Sequence, residues 1–137
     1  MATAFYPSLA DADVIEVEFV KLNGSIKAMR LLVDSGFTGS SSFVLPDSSA
    51  DLAIAALPAR QTTGALQGSK NRGWVTCRIA ALSYEEALIA IITDTAILSL
   101  PAGVEGLAGL TFLRRFDGWG ARFTNDGWQF FLSDGGE

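Results

Sequence analysis

The chain contains no histidine and a single cysteine. That composition removes every nucleophilic triad or dyad built on imidazole, and ordinary zinc sites with it. Carboxylates, lysine, tyrosine and water remain for acid and base chemistry. Among the carboxylates Asp34 has the most unusual setting. The apolar residues Leu31, Leu32 and Val33 lead into it, and the small-residue turn Ser35-Gly36-Phe37-Thr38-Gly39 follows. A carboxylate at the end of a buried strand is costly unless its charge is hydrogen-bonded or shared. Two carboxylates about 3 Å apart cannot both ionise, so such a pair shares one proton. It can then divide the work of hydrolysis, one member taking a proton from water and the other giving one to a carbonyl oxygen. The simpler role for Asp34 is to cap its own turn through its side chain.

The elements that must position Asp34 read as short strands. Residues 14–22 alternate, with Ile15, Val17 and Phe19 on one face, and Asn23-Gly24 is a turn dipeptide favoured where both central residues have positive φ. The return strand over residues 25–33 runs into Asp34. Phe43-Val44-Leu45 reads as a buried strand stopped by Pro46, with a short helix expected from Asp47 or Ser48 through Leu57 and ending at Pro58. Residues 60–72 are polar and glycine-containing, as in an exposed hairpin. Two further strands, 75–82 and 86–92, join near Ser83-Tyr84. A one- or two-turn helix is expected within 111–116, and a last hairpin turns at Asn125-Asp126-Gly127. Many short strands, turn signals at regular intervals and little helix point to an all-β barrel or sandwich.

The 137 residues suit one domain, with 1–12 and 133–137 peripheral or frayed. Apolar residues make up 49% and charged residues 18%, a surplus that suits a subunit interface. The net charge is -5 with no basic stripe, which argues against nucleic acid as a partner. Apolar runs fall short of the ~20 residues of a membrane span. Cys77 has no internal partner and is expected to fill a strand position as a small apolar residue in a cytoplasmic protein. Arg114-Arg115 is read as a solvated helix end, Glu85-Glu86 as solvated surface, and Trp74, Trp119 and Trp128 as core or interface filling.

Asp34-Ser35-Gly36 preceded by Leu32-Val33, continued by Thr38-Gly39 and followed far downstream by Leu107-Ala108-Gly109 and Leu110-Thr111-Phe112-Leu113, resembles the single-domain, retropepsin-like aspartic proteases, including their bacterial members. The resemblance covers almost the whole chain, roughly residues 14–131. It implies a closed or partly open β-barrel with one or two short helices, and Asp34 as the catalytic carboxylate on a loop shaped by Ser35, Gly36, Phe37 and Thr38. Leu107, Ala108 and Gly109 would be the second signature. It also implies a flap hairpin over about residues 61–74, with Gly64, Leu66, Gln67 and Gly68 as candidates near its tip. With one Asp-Ser-Gly per chain, the second carboxylate would come from a twofold-related copy. The implied activity is that of a homodimeric aspartic endopeptidase acting on extended peptide, without metal or organic cofactor. The sequence departs from the family where Phe37 replaces the usual alanine, Ala108 a larger aliphatic residue, and Thr111 an Asp or Asn. Two alternatives stay open: a retropepsin-like dimerisation or peptide-binding module without proteolysis, and an unrelated small β-barrel binding protein in which Asp34 is structural.

Overall fold

The described residues contain ten strands: β1 (Thr3–Pro7), β2 (Val14–Val20), β3 (Ile26–Asp34), β4 (Phe43–Pro46), β5 (Ala53–Thr62), β6 (Gly68–Ile79), β7 (Tyr84–Thr93), β8 (Gly106–Gly109), β9 (Gly118–Thr124) and β10 (Gly127–Ser133). The computed structural model describes residues 2–62 and 68–134. Seven strands form one sheet in the order β2-β3-β8-β4-β7-β6-β5, and β6 pairs back onto β2 from Glu18↔Arg78 to Val20↔Thr76. That pairing closes six strands into a barrel, with β5 an added outer strand on β6. The all-β barrel expected from the sequence is therefore present. Closure leaves β2 and β6 without an open edge, and β5 alone of the seven strands keeps one.

The barrel interior is filled by the alternate residues of these strands. Ile15, Val17 and Phe19 of β2 are buried together, as their spacing predicts. Phe43 lies at the centre, with its ring 5.2 Å from that of Phe19 and 4.8 Å from that of Phe112. Cys77 of β6 is a free thiol buried among them. A second, smaller cluster of Val44, Ile91 and Leu107 is covered by Leu32, Phe37, Leu98 and Leu100. Leu31 belongs to the main core and Leu32 to the second cluster, so β3 is apolar on both faces just before Asp34.

Several local expectations are corrected. The segment 1–12, expected at the periphery or frayed, contains β1, which pairs along its length with β10 and makes a three-stranded sheet in the order β1-β10-β9. The helix expected to reach Leu57 stops at Leu52: Asp47–Leu52 is a 3-10 helix, and Ala53 opens β5. Alanine's helix preference is small beside a long ladder with β6. Pro58 does not end the element. It lies inside β5 at a register shift between Leu57 and Arg60, an arrangement open to proline on an outer strand. At the β2–β3 turn only Gly24 has positive φ (88°), and Asn23 instead accepts the Ser25 N–H with its side chain at 2.9 Å. The expected helix near 111–116 is one turn, α1 (Leu110–Leu113).

Candidate functional site

Strand β3 ends at Asp34 and runs parallel to β8 with Leu31↔Gly106, Leu32↔Leu107, Val33↔Ala108 and Asp34↔Gly109. The two stretches singled out in the sequence are thus adjacent strands, and their last residues, Asp34 and Gly109, stand side by side. Asp34 is half-buried. Its Oδ1 accepts the Gly36 N–H at 3.0 Å and its carbonyl accepts the Phe37 N–H at 3.1 Å, which closes the loop into a tight turn. The carboxylate therefore caps its own turn, as the simpler reading of this residue predicts. Ser35, Gly36, Thr38 and Gly39 are exposed.

Phe37 turns inward. Its half-buried ring joins the second apolar cluster and packs against Gly109. A Cβ on Gly109 would lie 2.4 Å from Phe37 Cδ2 and 2.7 Å from the Phe37 carbonyl oxygen, so the glycine is required for close approach. Gly106 meets a similar demand, with the Val44 carbonyl oxygen 2.2 Å from the position of a Cβ. The ring that the sequence places beside the site is thus stacked on the second signature. Leu107 and Ala108 are buried, Leu107 in the second cluster and Ala108 in the main core.

Three successive residues, the last of β8 and the first two of α1, tie the Asp34 loop down. The Gly109 N–H donates to the Ser42 carbonyl at 2.9 Å, the Leu110 N–H to the Phe37 carbonyl at 2.9 Å, and the Thr111 hydroxyl to the Gly39 carbonyl. Sequence reasoning marked Thr111 only as a departure from the usual Asp or Asn. It is the second residue of α1, directly after the glycine beside Asp34, and no spacing in the sequence links it to Gly39.

Arg72 of β6 reaches the end of the same loop, with Nη1 3.5 Å from Ser40 Oγ. Strands β5 and β6 form a long hairpin from Ala53↔Val75 to Thr62↔Gly68. Of the residues expected near a flap tip, Gly68 is the first residue of β6, and Gly64, Leu66 and Gln67 lie outside the described residues.

On the far side of α1, Glu86 accepts hydrogen bonds from Tyr84 at 2.7 Å and from Arg115 Nε at 3.0 Å, with Arg115 Nη2 on its other oxygen. Partial burial pushes the Glu86 carboxyl up, but the bonds from Arg115 and Tyr84 outweigh it and leave the carboxyl below its ordinary value. Arg115 is exposed and Glu86 half-buried, in keeping with the solvated surface expected there, and the two form an ion pair that clamps β7 to the end of α1. Burial, and then the charge and hydrogen bonds of its neighbours, push the Tyr84 hydroxyl well above its ordinary range, so it stays a donor.

Among the described residues no group of three or more His, Cys, Asp or Glu is placed to hold a metal ion, and no helix is long and apolar enough to cross a membrane. Neither a scan of family models nor a search of curated proteins finds a match to the chain.

Proposed function

We propose that the protein is a homodimeric aspartic endopeptidase in which Asp34 from each of two copies forms the catalytic dyad. The observation that carries this reading is the pairing of Asp34 with Gly109 at the ends of parallel strands, in a closed β-barrel, with the small residues Ser35, Gly36, Thr38 and Gly39 of the Asp34 loop exposed. A carboxylate on an exposed, tightly folded turn can approach its own symmetry mate, which one buried inside the barrel could not. Exposed aromatic residues on one face of the three-stranded sheet, Trp119, Phe123 and Trp128, support a surface that a second copy covers. The lone buried Cys77 needs no oxidising compartment, which supports a cytoplasmic setting.

In this mechanism the two Asp34 carboxyl groups hold one proton between them. The ionised member takes a proton from a water as that water attacks the peptide carbonyl carbon. The protonated member donates to the carbonyl oxygen, giving a tetrahedral diol. Its collapse, with proton transfer to the amide nitrogen, breaks the C–N bond and restores the shared proton. The Ser35 hydroxyl would bridge the two loops, and the β5–β6 hairpin would act as the flap that holds an extended peptide by backbone hydrogen bonds. No metal or organic cofactor takes part.

A second reading has support in the hydrogen bond from Gly36 to Asp34, which already gives the carboxylate a use within one chain. In it the protein is a dimerisation or peptide-binding module without proteolysis. Peptide-library cleavage by wild type and Asp34→Asn separates the two. The protease reading expects Asn to lower the rate by at least about 10³-fold in a protein that sediments as a dimer. Peptide binding by a dimer with no cleavage supports the second reading, and a monomer at high concentration removes both.

A further inference from the structure

We propose that the Thr111 hydroxyl is the positioning group for the Asp34 loop, acting through Gly39. The inference deepens the aspartic-protease reading and rests on it for its catalytic consequence. Its structural part stands alone.

Residues 35–39 have little packing to hold them, since Phe37 alone among them turns inward and Ser35, Gly36, Thr38 and Gly39 are exposed. Backbone bonds fix the two flanks, at Phe37 by Leu110 and at Ser42 by Gly109. The segment between them contains Gly39 at φ 113°, where nothing lies within 4 Å of the position a Cβ would take. A left-handed glycine in open space has the greatest backbone freedom in the loop. The Thr111 hydroxyl bonds the carbonyl of this residue. Inside a helix a threonine hydroxyl commonly returns to a carbonyl of its own preceding turn, but this one leaves its element and holds the loop.

The base of this anchor is firm. Phe112 and Leu113, the next two residues of α1, are fully buried, and the clamp of Arg115 on Glu86 lies just beyond. Residues 109, 110 and 111 therefore present three donors in succession to three carbonyls of one loop. Two are backbone donors that any residue except proline supplies. The third depends on the side chain, so residue 111 is where sequence can set how firmly Asp34 is held. A carboxylate that must meet its mate within hydrogen-bonding distance tolerates only about 0.5 Å of misplacement.

The test compares Thr111→Val, which keeps the β-branched shape and removes the donor, with Thr111→Ser, which keeps the donor. Amide hydrogen exchange followed by NMR on the full-length protein reads loop order without any need for activity. The expected result is that Thr111→Val speeds exchange at Gly36 and Phe37 by about fivefold, the worth of one hydrogen bond, and leaves Leu31 and Ala108 unchanged. Thr111→Ser should keep wild-type exchange. On a fluorogenic peptide cleaved by the wild type, Thr111→Val should lower kcat about tenfold or more with KM little changed. Wild-type exchange in Thr111→Val, equal behaviour of Val and Ser, or faster exchange throughout the barrel with a general loss of stability would each overturn the proposal. If the wild type cleaves no peptide while the exchange pattern appears, the positioning role stands and the protease reading falls.

Discussion

Replacing Gly109 by alanine tests the contact that joins the two halves of the candidate site. The new methyl group would lie 2.4 Å from Phe37 Cδ2 and 2.7 Å from the Phe37 carbonyl oxygen, where ordinary contact begins near 3.4 Å. The ring is a side chain and can rotate away. The carbonyl cannot, because it accepts the Leu110 N–H at 2.9 Å and belongs to the turn that Asp34 closes. The loop must therefore move by about 0.7 Å, measured from that carbonyl. Overpacking of this kind costs about 1–3 kcal/mol, and loosening the Leu110 bond adds about 1 kcal/mol. A total of about 2–4 kcal/mol corresponds to a fall of roughly 8–15 °C in Tm for a chain of this size. The Gly109 φ of -98° is open to any residue, so the penalty is one of contact and not of backbone conformation. Thermal unfolding followed by circular dichroism measures it. The double variant Phe37→Ala with Gly109→Ala should recover only part of the loss relative to Phe37→Ala alone, since it removes the ring clash and leaves the carbonyl clash. A Gly109→Ala protein with a Tm within about 1 °C of wild type, against the shift worked from these contacts, would refute the reasoning.

Asp34→Asn keeps an oxygen to accept the Gly36 N–H, so its stability should match or exceed that of wild type, whereas Asp34→Ala should lose about 1 kcal/mol in urea unfolding; a large loss in Asn as well would make Asp34 structural. The Glu86 carboxyl lies below its ordinary value of 4.5 in the folded protein, so its stabilising contribution is present above that pH and disappears as pH falls through the folded value. Glu86→Gln should therefore be less stable than wild type by about 0.2–1 kcal/mol at pH 7 and equal to it near the acid limit, and a difference that stayed constant with pH would count against the clamp. Burial pushes the Cys77 thiol up to about 12, and its side chain is fully enclosed. A thiol reagent at pH 8 should label Cys77 only after denaturant unfolds the barrel, and rapid stoichiometric labelling of the folded protein would contradict that placement.

The parts of this molecule that were legible in the sequence are those in which local pattern and long-range pairing agree. The alternation of Ile15, Val17 and Phe19 announces a strand with one buried face, and β2 has that face in the barrel. The apolar run into Asp34 announces a strand buried on both sides, and Leu31 and Leu32 do pack in different clusters. Where local preference and pairing compete, the sequence misleads. Ala53, Ala55 and Ala56 favour a helix by propensity but lie in β5, because a ladder with β6 outweighs differences of a few tenths of a kcal/mol per residue. β1 was hidden for a similar reason: Thr3–Pro7 gains its strand character from β10, which lies at the other end of the chain. The Thr111–Gly39 bond was also invisible, since no spacing rule links a helix residue to a carbonyl in a distant loop.

Capping a turn is a sufficient role for an aspartate, and the hydrogen bond from Gly36 to Asp34 fulfils it without any second copy. The geometry makes that role and the catalytic one compatible. A carboxylate offers about four lone-pair sites, and the Gly36 N–H occupies one of them on Oδ1. What that bond removes is rotation, so the remaining sites keep a set direction. For a residue whose chemistry depends on meeting its own copy, such restriction lowers the entropy lost on assembly. The same holds for the loop that carries it, pinned by Leu110 at Phe37, by Gly109 at Ser42 and by Thr111 at Gly39. A merely structural Asp34 would need only its own turn. Three further bonds from the strand that ends at Gly109 and the helix that follows it hold the turn to the barrel, and a turn so held is suited to present its carboxylate to something outside the chain.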